Sequence, residues 1–313
     1  MLEPRGCKVA LLSGGSSGER EVSLASGKGA QQALEAAGFL VTMLDPSCKD
    51  DLKALIDGDF DIAFLCLHGK GGEDGAMQGF LEVIGLPYTG SGIWSSALSI
   101  DKAKAKVFYQ SAGIKTPESM TIGNPAQASL RTVVEDLGLP CVVKPVCEGS
   151  ALGVYIVETE DELQKALNDL SSISSNALVE RFVSGRELTV AVLGNEKPEA
   201  LPVIEIIPQN EFYDYESKYS PGGSQHLCPA PIGEQATKDV QQMAIAAHVA
   251  LGCSGVSRSD FILDEAGELW ILETNTIPGM TKTSLLPDAG RAAQIGFSDL
   301  CVRLIAYALA GRK

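Results

Sequence analysis

The amino-acid sequence predicts an α/β protein, in which an N-terminal domain built on a parallel sheet is followed by two domains of mixed α and β structure. In the first hundred residues, apolar runs of strand length alternate with stretches of helical length, which is the pattern of a parallel sheet with helical crossovers. Near the other end, residues 256–263 and 268–274 flank a four-residue turn and predict an antiparallel hairpin. We therefore divide the chain into domains at 1–100, 101–185 and 186–313.

Composition excludes several classes of protein. The 313 residues are 45% hydrophobic and 21% charged, which is ordinary for a soluble globular protein of two or three domains. A formal net charge of −15 argues against a nucleic-acid partner, and no apolar run approaches the ~20 residues of a membrane span. The N-terminus has no signal-peptide pattern, and the eight cysteines form no Cys-x-x-Cys pair. We expect a cytoplasmic protein that contacts neither nucleic acid nor membrane.

The N-terminal region contains the predicted parallel sheet. Its strands are expected at 7–12, 39–44 and 61–67, and its helices at 22–37 and 76–84. Loops at the carboxyl ends of such strands are where α/β proteins bind ligands. A dinucleotide-binding fold is the alternative, because Asp45 closes the second strand where a ribose-binding acid would stand. The loop 14–18, however, lacks the Gly-x-Gly-x-x-Gly pattern, and Glu19 stands where a pyrophosphate would be approached.

The middle of the chain predicts a phosphate site. Helices are expected over 101–112, up to 137 and over 160–170, and strands over 141–145, 154–157 and 177–183. Lys144 lies on the first of these strands beside the glycine-containing turn 148–153, an arrangement that offers an anion both backbone N–H groups and an ammonium. The first helix also carries Lys102, Lys104 and Lys106. The alternative is that Lys144 is a solvent-facing lysine on an edge strand.

Two carboxylates, an amide and a guanidinium converge at the mouth of the predicted hairpin. Side chains alternate between the faces of a strand, and an even-numbered turn brings one polar set onto a single face. This set comprises Arg258, Asp260, Glu273 and Asn275. The opposite face is expected to pack in the core and comprises Phe261, Leu263, Trp270 and Leu272. The oxygen set suits Mg²⁺ shared with substrate phosphates, and the alternative is an ordinary hairpin with solvated acids.

Residues 208–231 predict a lid over a binding site. The segment is rich in aromatic residues, shows no regular period and is longer than the ~15 residues of most structureless loops. The alternative is a surface loop with stray aromatic residues. The remaining predicted elements are strands at 187–193 and 200–206 and helices at 234–251, 284–293 and 297–310.

Five short sequences carry a resemblance to a known family. They are GGSSGEREVS at 14–23, HGKGGEDG at 68–75, KPVCEGS at 144–150, FYDYESKY at 212–219 and ETNTIPGMT at 273–281. Together, over essentially the whole chain, they resemble the D-alanine–D-alanine ligases of the ATP-grasp superfamily. The resemblance implies a Rossmann-like N-terminal domain followed by an ATP-grasp fold of two α+β domains. It also implies that two D-alanine molecules are joined with ATP, through an acyl phosphate, for peptidoglycan synthesis, by a chain that can form a homodimer.

The resemblance assigns residues to the nucleotide and to metal. The implied ATP contacts are Lys102 and Lys144 to the phosphates, Glu180 and Val183 to adenine, and Glu187 to the ribose. Two Mg²⁺ ions, for which Mn²⁺ can substitute, would be ligated by Asp260, Glu273 and Asn275. These three residues belong to the polar set that hairpin geometry brings together independently of the resemblance.

The resemblance also assigns residues to D-alanine. The first D-alanine would meet Glu19 through its ammonium and His68 near its carboxylate. The carboxylate of the second would be received by Lys218, Ser284 and Leu285. Arg258 and the Gly279 N–H would hold the oxyanion, and Ser150 and Tyr219, linked to Glu19, would seal and orient the site. This chemistry requires no nucleophilic side chain, because ATP itself activates the carboxylate.

The sequence departs from the family pattern at three places, and two other functions are considered as alternatives. Ala151 stands where many relatives place serine, Arg181 where they place lysine, and Lys282-Thr283 where Ser-His is common. A nicotinamide-dependent dehydrogenase would explain the N-terminal sheet but not the acidic set of the hairpin. A non-catalytic nucleotide-binding protein would explain Lys144 and its loop, but it needs no such set.

Overall fold

Three β-sheets form the frame of the molecule, and helices cover their faces. The computed structural model of the chain describes residues 6–149, 153–208 and 223–310. The first sheet is parallel, with strand order β2-β1-β3, and the other two are antiparallel. The predicted α/β class, with a parallel sheet in the first hundred residues, is therefore confirmed. The domain boundaries near 100 and 185 stay a prediction.

The parallel sheet places two loops at one edge. Its elements are the strands β1 (Lys8–Leu12), β2 (Leu40–Leu44) and β3 (Ile62–Leu65) and the helices α1 (Arg20–Ala36), α2 (Lys49–Asp57), α3 (Ala76–Val83) and α4 (Ile93–Ile100). The central strand β1 is apolar and buried on both faces, since Leu11 packs towards α1 and Leu12 towards α2 and α3. Because β1 and β3 run in the same direction, the loops that follow them lie side by side.

The second sheet has the strand order β4-β7-β5-β6. Its elements are β4 (Ser119–Ile122), β5 (Cys141–Pro145), β6 (Tyr155–Val157) and β7 (Ala177–Arg181), with the helices α5 (Lys102–Ser111), α6 (Leu130–Leu137) and α7 (Glu160–Ser171). Val142 pairs with Glu180 and Lys144 with Leu178, so Lys144 and Glu180 are diagonal neighbours on one face. Lys144 is only 6% exposed and β5 is an inner strand, so the edge-strand alternative is wrong.

The third sheet carries the hairpin. Its strands are β8 (Gly185–Gly194), β9 (Glu199–Ala200), β10 (Ile204–Pro208), β11 (Ser224–Leu227), β12 (Gly255–Asp264) and β13 (Leu269–Asn275), and its helices are α8 (Glu234–Ala250), α9 (Leu285–Ala292) and α10 (Phe297–Ala310). The order is β11-β10-β8-β12-β13, with β9 paired to β8. Strand β12 lies between β8 and β13, so the mouth of the hairpin is held on both sides.

A β-bulge in the hairpin overturns part of the predicted core face. At the mouth, Arg258 pairs with Asn275 and Asp260 with Glu273, so the four residues share one face, as predicted. The turn that closes the hairpin is not the predicted four-residue one, because Leu263 pairs with Leu269. Beyond a register shift after Asp260, however, Phe261 pairs with Ile271, which leaves Leu272 as the extra residue. Phe261 and Leu263 are buried as predicted, but their partners in the core are Leu269 and Ile271. The predicted core positions of Trp270 and Leu272 are therefore wrong.

Other differences are smaller. Strands β4 and β11 and helices α2 and α4 have no counterpart among the predicted elements, and the strand predicted at 200–206 is divided into β9 and β10. Strand β11 lies within the predicted lid segment 208–231 and pairs with β10. Most of the predicted lid, together with Ser150, Lys218 and Tyr219, lies outside the described residues. Within the described part of the chain, no single helix has the length and apolar character to cross a membrane. Only α9 and α10 together reach that length and composition, and they are bent by 103°.

Candidate active site

Two cavities meet where the three sheets come together. The larger, of about 530 Å³, lies between the second and third sheets, and its walls include Val142, Ile156, Phe182, Val183, Ile262 and Leu272. The smaller, of about 100 Å³, lies between the N-terminal loops and the loop after β13. Four residues line both cavities: Lys102, Glu148, Gly149 and Glu273. A group bound in one cavity therefore adjoins a group bound in the other.

The polar set at the hairpin mouth is held by ion pairing. Arg258 donates two hydrogen bonds to the Asp260 carboxylate, of 3.0 Å from Nε and 2.9 Å from Nη2. Thr189, on β8, donates a third hydrogen bond of 2.6 Å to Asp260 Oδ1. Because Asp260 is only 7% exposed, these donors compensate for the loss of water around a buried carboxylate. Thr189 was not identified from the sequence, because only the sheet pairing brings β8 beside β12.

The same set has the chemistry of a magnesium site. Asp260 and Glu273 lie directly opposite one another in the register, and Asn275 follows on the same strand. Within the described residues, no three His, Cys, Asp or Glu side chains are close enough to hold a metal by themselves. Two carboxylates and an amide, completed by phosphate oxygens, are nevertheless the kind of incomplete oxygen set on which Mg²⁺ is held in phosphoryl-transfer sites. The residues thus fit a divalent ion that arrives with a nucleotide.

Lys102 stands at the junction of the two cavities. It opens helix α5, whose start is fixed by the Asp101 side chain, which accepts a hydrogen bond of 2.9 Å from the Lys104 N–H. Lys102 Nζ donates to the Glu148 carbonyl at 2.6 Å and lies 3.2 Å from Glu273 Oε2. A lysine so placed can exchange its carboxylate partner for a phosphate.

Lys144 and Glu180, which line the larger cavity, form a buried cluster with Lys106, which lies behind them. Lys144 Nζ contacts Glu180 Oε1, and Lys106 Nζ lies 2.9 Å from Glu180 Oε2. Burial raises the pKa of the Glu180 carboxyl, but the two ammonium groups outweigh it and hold that pKa below its usual value. Burial also lowers the pKa of Lys106, as does the charge of Lys144, whereas Glu180 raises it. The sequence showed Lys106 one helical turn after Lys102, yet nothing in it assigned Lys106 to the site.

The rest of the larger cavity is mainly apolar. Val183 and Glu187 line it, as does Leu272, which the bulge turns away from the core. Arg186 forms two hydrogen bonds of 2.6 Å with Glu205, and this pair lies at the wall near Glu187. Apolar walls with a few fixed polar groups at one end are typical of small-molecule sites.

Glu19 lies in the smaller cavity, between two glycine backbones. It immediately precedes α1 and is 8% exposed. A Cβ atom on Gly69 would lie 2.8 Å from Glu19 Oε2, and one on Gly149 would lie 2.7 Å from the same oxygen. Gly69 also has a positive φ of 68°, which favours glycine. The absence of a side chain at Gly69 and Gly149 therefore leaves room for the Glu19 carboxylate in its present position.

His68 belongs to a chain of polar groups that crosses the smaller cavity. Its Nδ1 lies 3.5 Å from Glu73 Oε1, and its Nε2 lies 3.4 Å from Ser26 Oγ. Glu73 in turn accepts a hydrogen bond of 3.0 Å from the Gly69 N–H. With Nδ1 protonated towards Glu73, Nε2 is free to accept from Ser26. Glu73 stands in the 68–75 sequence and could have been identified there, whereas Ser26 carries no local signal.

The loop after β13 supplies the remaining side of the smaller cavity. Ser284 Oγ accepts a hydrogen bond of 3.0 Å from the Thr281 N–H and lies 2.7 Å from Thr281 Oγ1. A Cβ atom on Gly279 would lie 2.8 Å from Ser284 Oγ, so the loop can close this tightly only with glycine there. Leu285 lines the cavity and begins α9. Every predicted site residue within the described ranges thus lines at least one of the two cavities. Those that line only the larger are Lys144, Glu180, Val183, Glu187 and Asp260.

Comparison with known proteins agrees with this geometry. The chain matches the family described as D-ala D-ala ligase C-terminus over residues 108–306 and the family described as D-ala D-ala ligase N-terminus over residues 45–91. It is 46% identical to a D-alanine–D-alanine ligase of Desulfotalea psychrophila over 305 residues, which cover 96% of this chain and 95% of the relative. A D-alanine–D-alanine ligase of Halalkalibacterium halodurans is 46% identical over 298 residues, covering 94% and 96% of the two chains.

Solved structures of the same family are also similar to this chain. The D-alanine–D-alanine ligase of Bacillus anthracis superimposes with a TM-score of 0.87 at 33% identity, covering 98% of this chain and 99% of that chain. A structure of the Bacillus anthracis enzyme complexed with ATP gives a TM-score of 0.86 at 31% identity, with the same coverage. The VanG D-Ala:D-Ser ligase of Enterococcus faecalis gives 0.84 at 30% identity, covering 97% of this chain and 100% of that chain.

Proposed function

The chain belongs to the D-alanine–D-alanine ligase family, and on this basis we propose how its two cavities share the reaction. It is an ATP-dependent ligase that joins two D-alanine molecules for cell-wall synthesis. The observation that carries the assignment of roles is the junction itself, because Lys102 and Glu273 line both cavities. A phosphate from the larger cavity and a carboxylate from the smaller one meet there.

The nucleotide occupies the larger cavity. Adenine lies among the apolar side chains near Glu180 and Val183, and Glu187 binds the ribose hydroxyls. Lys102 and Lys144 then face the phosphates, since both ammonium groups lie along the wall that leads to the junction. The apolar character of this cavity and its volume of about 530 Å³ suit a purine nucleoside.

Three residues near the junction would hold magnesium together with the nucleotide. Asp260, Glu273 and Asn275 would hold two ions, for which Mn²⁺ can substitute, together with phosphate oxygens. When bound, such ions offset the negative charge that accumulates as phosphate and carboxylate approach. The protein residues contribute independently: Arg258 holds Asp260 in place through two hydrogen bonds, and Lys102 lies 3.2 Å from Glu273 Oε2.

The two D-alanine molecules occupy the smaller cavity. Glu19 receives the ammonium of the first, and His68, fixed by Glu73 and Ser26, lies beside its carboxylate. Lys218, Ser284 and Leu285 receive the carboxylate of the second. The smaller cavity has a volume of only about 100 Å³, which favours a substrate with a methyl side chain.

The residues then act in sequence. The carboxylate of the first D-alanine attacks the terminal phosphate, forming an acyl phosphate and releasing ADP. The deprotonated amine of the second attacks the acyl carbon, and Arg258 with the Gly279 N–H stabilises the oxyanion of the tetrahedral intermediate. Phosphate leaves as the peptide bond forms. Ser150 and Tyr219 are assigned to sealing the site, and the segment 208–231 to excluding water that would hydrolyse the acyl phosphate.

One assay tests this proposal against its rivals. Phosphate release from ATP should require both Mg²⁺ and D-alanine, and the dipeptide should form in equal amount. A dehydrogenase would release no phosphate, and a non-catalytic nucleotide-binding protein would bind ATP without turnover. Adding D-serine or D-lactate in place of the second D-alanine measures the preference for the second substrate, for which the VanG relative is named a D-Ala:D-Ser ligase.

We also propose that the enzyme works in the cytoplasm as a homodimer. All eight cysteines are unpaired, which fits a reducing compartment. Trp94 on α4 is 56% exposed and Val249 on α8 is 60% exposed, and Gly252, just beyond α8, lies against the Trp94 ring. An exposed apolar patch of this kind suits a second copy. Sedimentation of the wild type and of Trp94→Glu tests this, and a dimer that the substitution does not weaken would place the interface elsewhere.

A further inference from the structure

Lys106 is a buried cation that the assigned reaction does not use. Its side chain is 3% exposed, and it lines neither of the two cavities. Its ammonium nevertheless has three fixed contacts. It donates hydrogen bonds to Thr116 Oγ1 at 2.7 Å and to the Pro117 carbonyl at 2.8 Å, and it forms an ion pair with Glu180 Oε2 at 2.9 Å. A buried charge with this number of fixed contacts has a defined position.

The position of Lys106 is set from the hairpin side. Thr116 Oγ1, which accepts from Lys106, donates its own proton to the Ile271 carbonyl at 2.9 Å. The Ile271 N–H donates to the Lys115 carbonyl at 2.9 Å. Lys106 is thereby connected to β13, two residues before Glu273. The ammonium thus links the glutamate of the nucleotide cavity to the strand that carries the acidic set.

Glu180 is held from two sides. Lys144 occupies Oε1 from the cavity, and Lys106 occupies Oε2 from behind. The cluster of two ammonium groups and one carboxylate carries one net positive charge. If Lys144 were the sole counter-ion, its movement towards a phosphate would leave a buried carboxylate uncompensated, which is strongly unfavourable. With Lys106 present, that carboxylate keeps a partner while Lys144 is shared.

We propose that Lys106 is a positioning residue for nucleotide binding, which holds Glu180 in place and thereby releases Lys144 for the phosphates. The proposal rests on the assignment of the larger cavity to ATP. It does not require Lys106 to touch the nucleotide. Its effect passes through Glu180 and Lys144, so it must depend on the charge of Glu180, and that dependence distinguishes it from a purely structural role.

The test is direct nucleotide binding, measured by calorimetry with ADP and Mg²⁺ in the absence of D-alanine. We expect Lys106→Met to weaken ADP binding about tenfold, the scale of a lost close charge interaction. The steady-state KM for ATP should rise by a similar factor, while the KM for D-alanine changes less than about twofold. Lys104→Met is the matched control, because Lys104 lies exposed on the same helix. It should leave both constants unchanged.

A double-mutant cycle isolates the route of the effect. Glu180→Gln removes the negative charge that pairs with Lys144, so Lys106 no longer has a carboxylate to hold in place. Adding Lys106→Met to Glu180→Gln should therefore cause no further loss of ADP binding. The acid limb of the pH profile of kcat/KM for ATP should also move to higher pH in Lys106→Met, because Glu180 loses a neighbouring positive charge. Lys106→Gln, with a polar side chain that can still donate to Thr116, provides a second variant if the methionine variant does not fold.

The binding measurements distinguish a failure of the proposed function from a failure of the role proposed for Lys106. Wild-type protein that binds no ADP contradicts the proposed function itself. Wild-type protein that binds ADP, together with a folded Lys106→Met or Lys106→Gln that binds it equally well, overturns the role of Lys106 alone. Additive losses in the cycle also overturn it, because they show that Lys106 acts without Glu180.

Discussion

Ser26 on α1 accepts a hydrogen bond of 3.2 Å from the backbone N–H of Met280, although 254 residues separate them in the sequence. Met280 follows Gly279, whose own N–H is proposed to face the oxyanion. The same Ser26 oxygen lies 3.4 Å from His68 Nε2. One hydroxyl therefore joins His68, which is proposed to bind substrate, to the loop that completes the smaller cavity, and this relationship can be tested.

Replacement of Ser26 by alanine should lower kcat about 5- to 10-fold, because loss of one neutral hydrogen bond is worth about 1 kcal/mol. The KM for ATP should stay unchanged, since the larger cavity is not affected. Steady-state phosphate release at saturating ATP provides the measurement. Ser298→Ala is the control: Ser298 also bonds to α1, through the Ala33 carbonyl at 2.8 Å, and lines neither cavity. Equal effects of the two substitutions would reduce the Ser26 contact to simple packing.

Replacement of Glu273 by glutamine should reduce D-alanine-dependent ATP hydrolysis about 100-fold or more, the scale of removing one preorganised charged group. The substitution is nearly isosteric, so the protein should keep its fold and its thermal unfolding midpoint. Glu268→Gln is the matched control, because Glu268 lies near the turn of the same hairpin and pairs with exposed Lys115 at the surface. A folded Glu273→Gln enzyme with near-normal turnover would contradict the assignment of Glu273 to the metal and phosphate site.

Local patterns predicted most of the elements and the hairpin mouth. Strand periodicity suffices to place Asp260 and Glu273 on one face, because it depends only on residues close in the chain. Their direct pairing depends on the bulge, since the predicted four-residue turn would place Ile271 opposite Asp260. The contact of Lys106 with Glu180 joins a helix to a strand 74 residues later, and no local period contains that information. The same holds for Ser26 and Met280. Contacts of this kind are decided by how the sheets pack together, which sequence spacing does not determine.

The bulge at Leu272 is a second feature that the sequence did not predict. Period-two alternation assigned Leu272 to the core and Ile271 to the other face. In the structure Leu272 is the extra residue of the bulge, and Ile271 takes the core position. Nothing in the hairpin sequence marks the bulge, since Leu and Ile suit either face. Its consequence is functional, because it places Leu272 beside Glu273 in the larger cavity while Ile271 stays fully buried.

Alanine substitutions at these two adjacent residues should therefore have opposite effects. Leu272→Ala should raise the KM for ATP about tenfold, through lost apolar contact with the base, and should change stability little. Ile271→Ala should instead lower the free energy of unfolding by about 2–5 kcal/mol, as expected for a large-to-small change in the core. Denaturant unfolding and steady-state kinetics on both variants provide the comparison. A stability loss for Leu272→Ala as large as that for Ile271→Ala would place Leu272 in the core after all.

The buried histidine of α8 should make stability depend on pH. His248 is 1% exposed, its Nδ1 lies 2.7 Å from Ser257 Oγ, and within the described residues its Nε2 has no hydrogen-bond partner. Burial lowers the pKa of His248 from 6.5 to about 4, while a backbone contact at Gly194 opposes this weakly. The folded protein therefore keeps His248 neutral at pH values where the unfolded chain already binds a proton there.

Because of this difference in proton binding, the free energy of unfolding should decrease as the pH falls below neutral. Above about pH 6.5 neither state is protonated at His248, so its full contribution to stability is present. As the pH falls from 6.5 towards 4, only the unfolded state gains a proton, and the free energy of unfolding should decrease by up to about 3 kcal/mol. Carboxylates with lowered pKa values, such as Asp45 and Asp288, lose their contribution only at lower pH. Denaturant unfolding of the wild type and of His248→Gln at pH 7.5 and pH 5 isolates the effect. The variant should lose most of the difference between the two pH values, and an unchanged difference would show that His248 is not the group responsible.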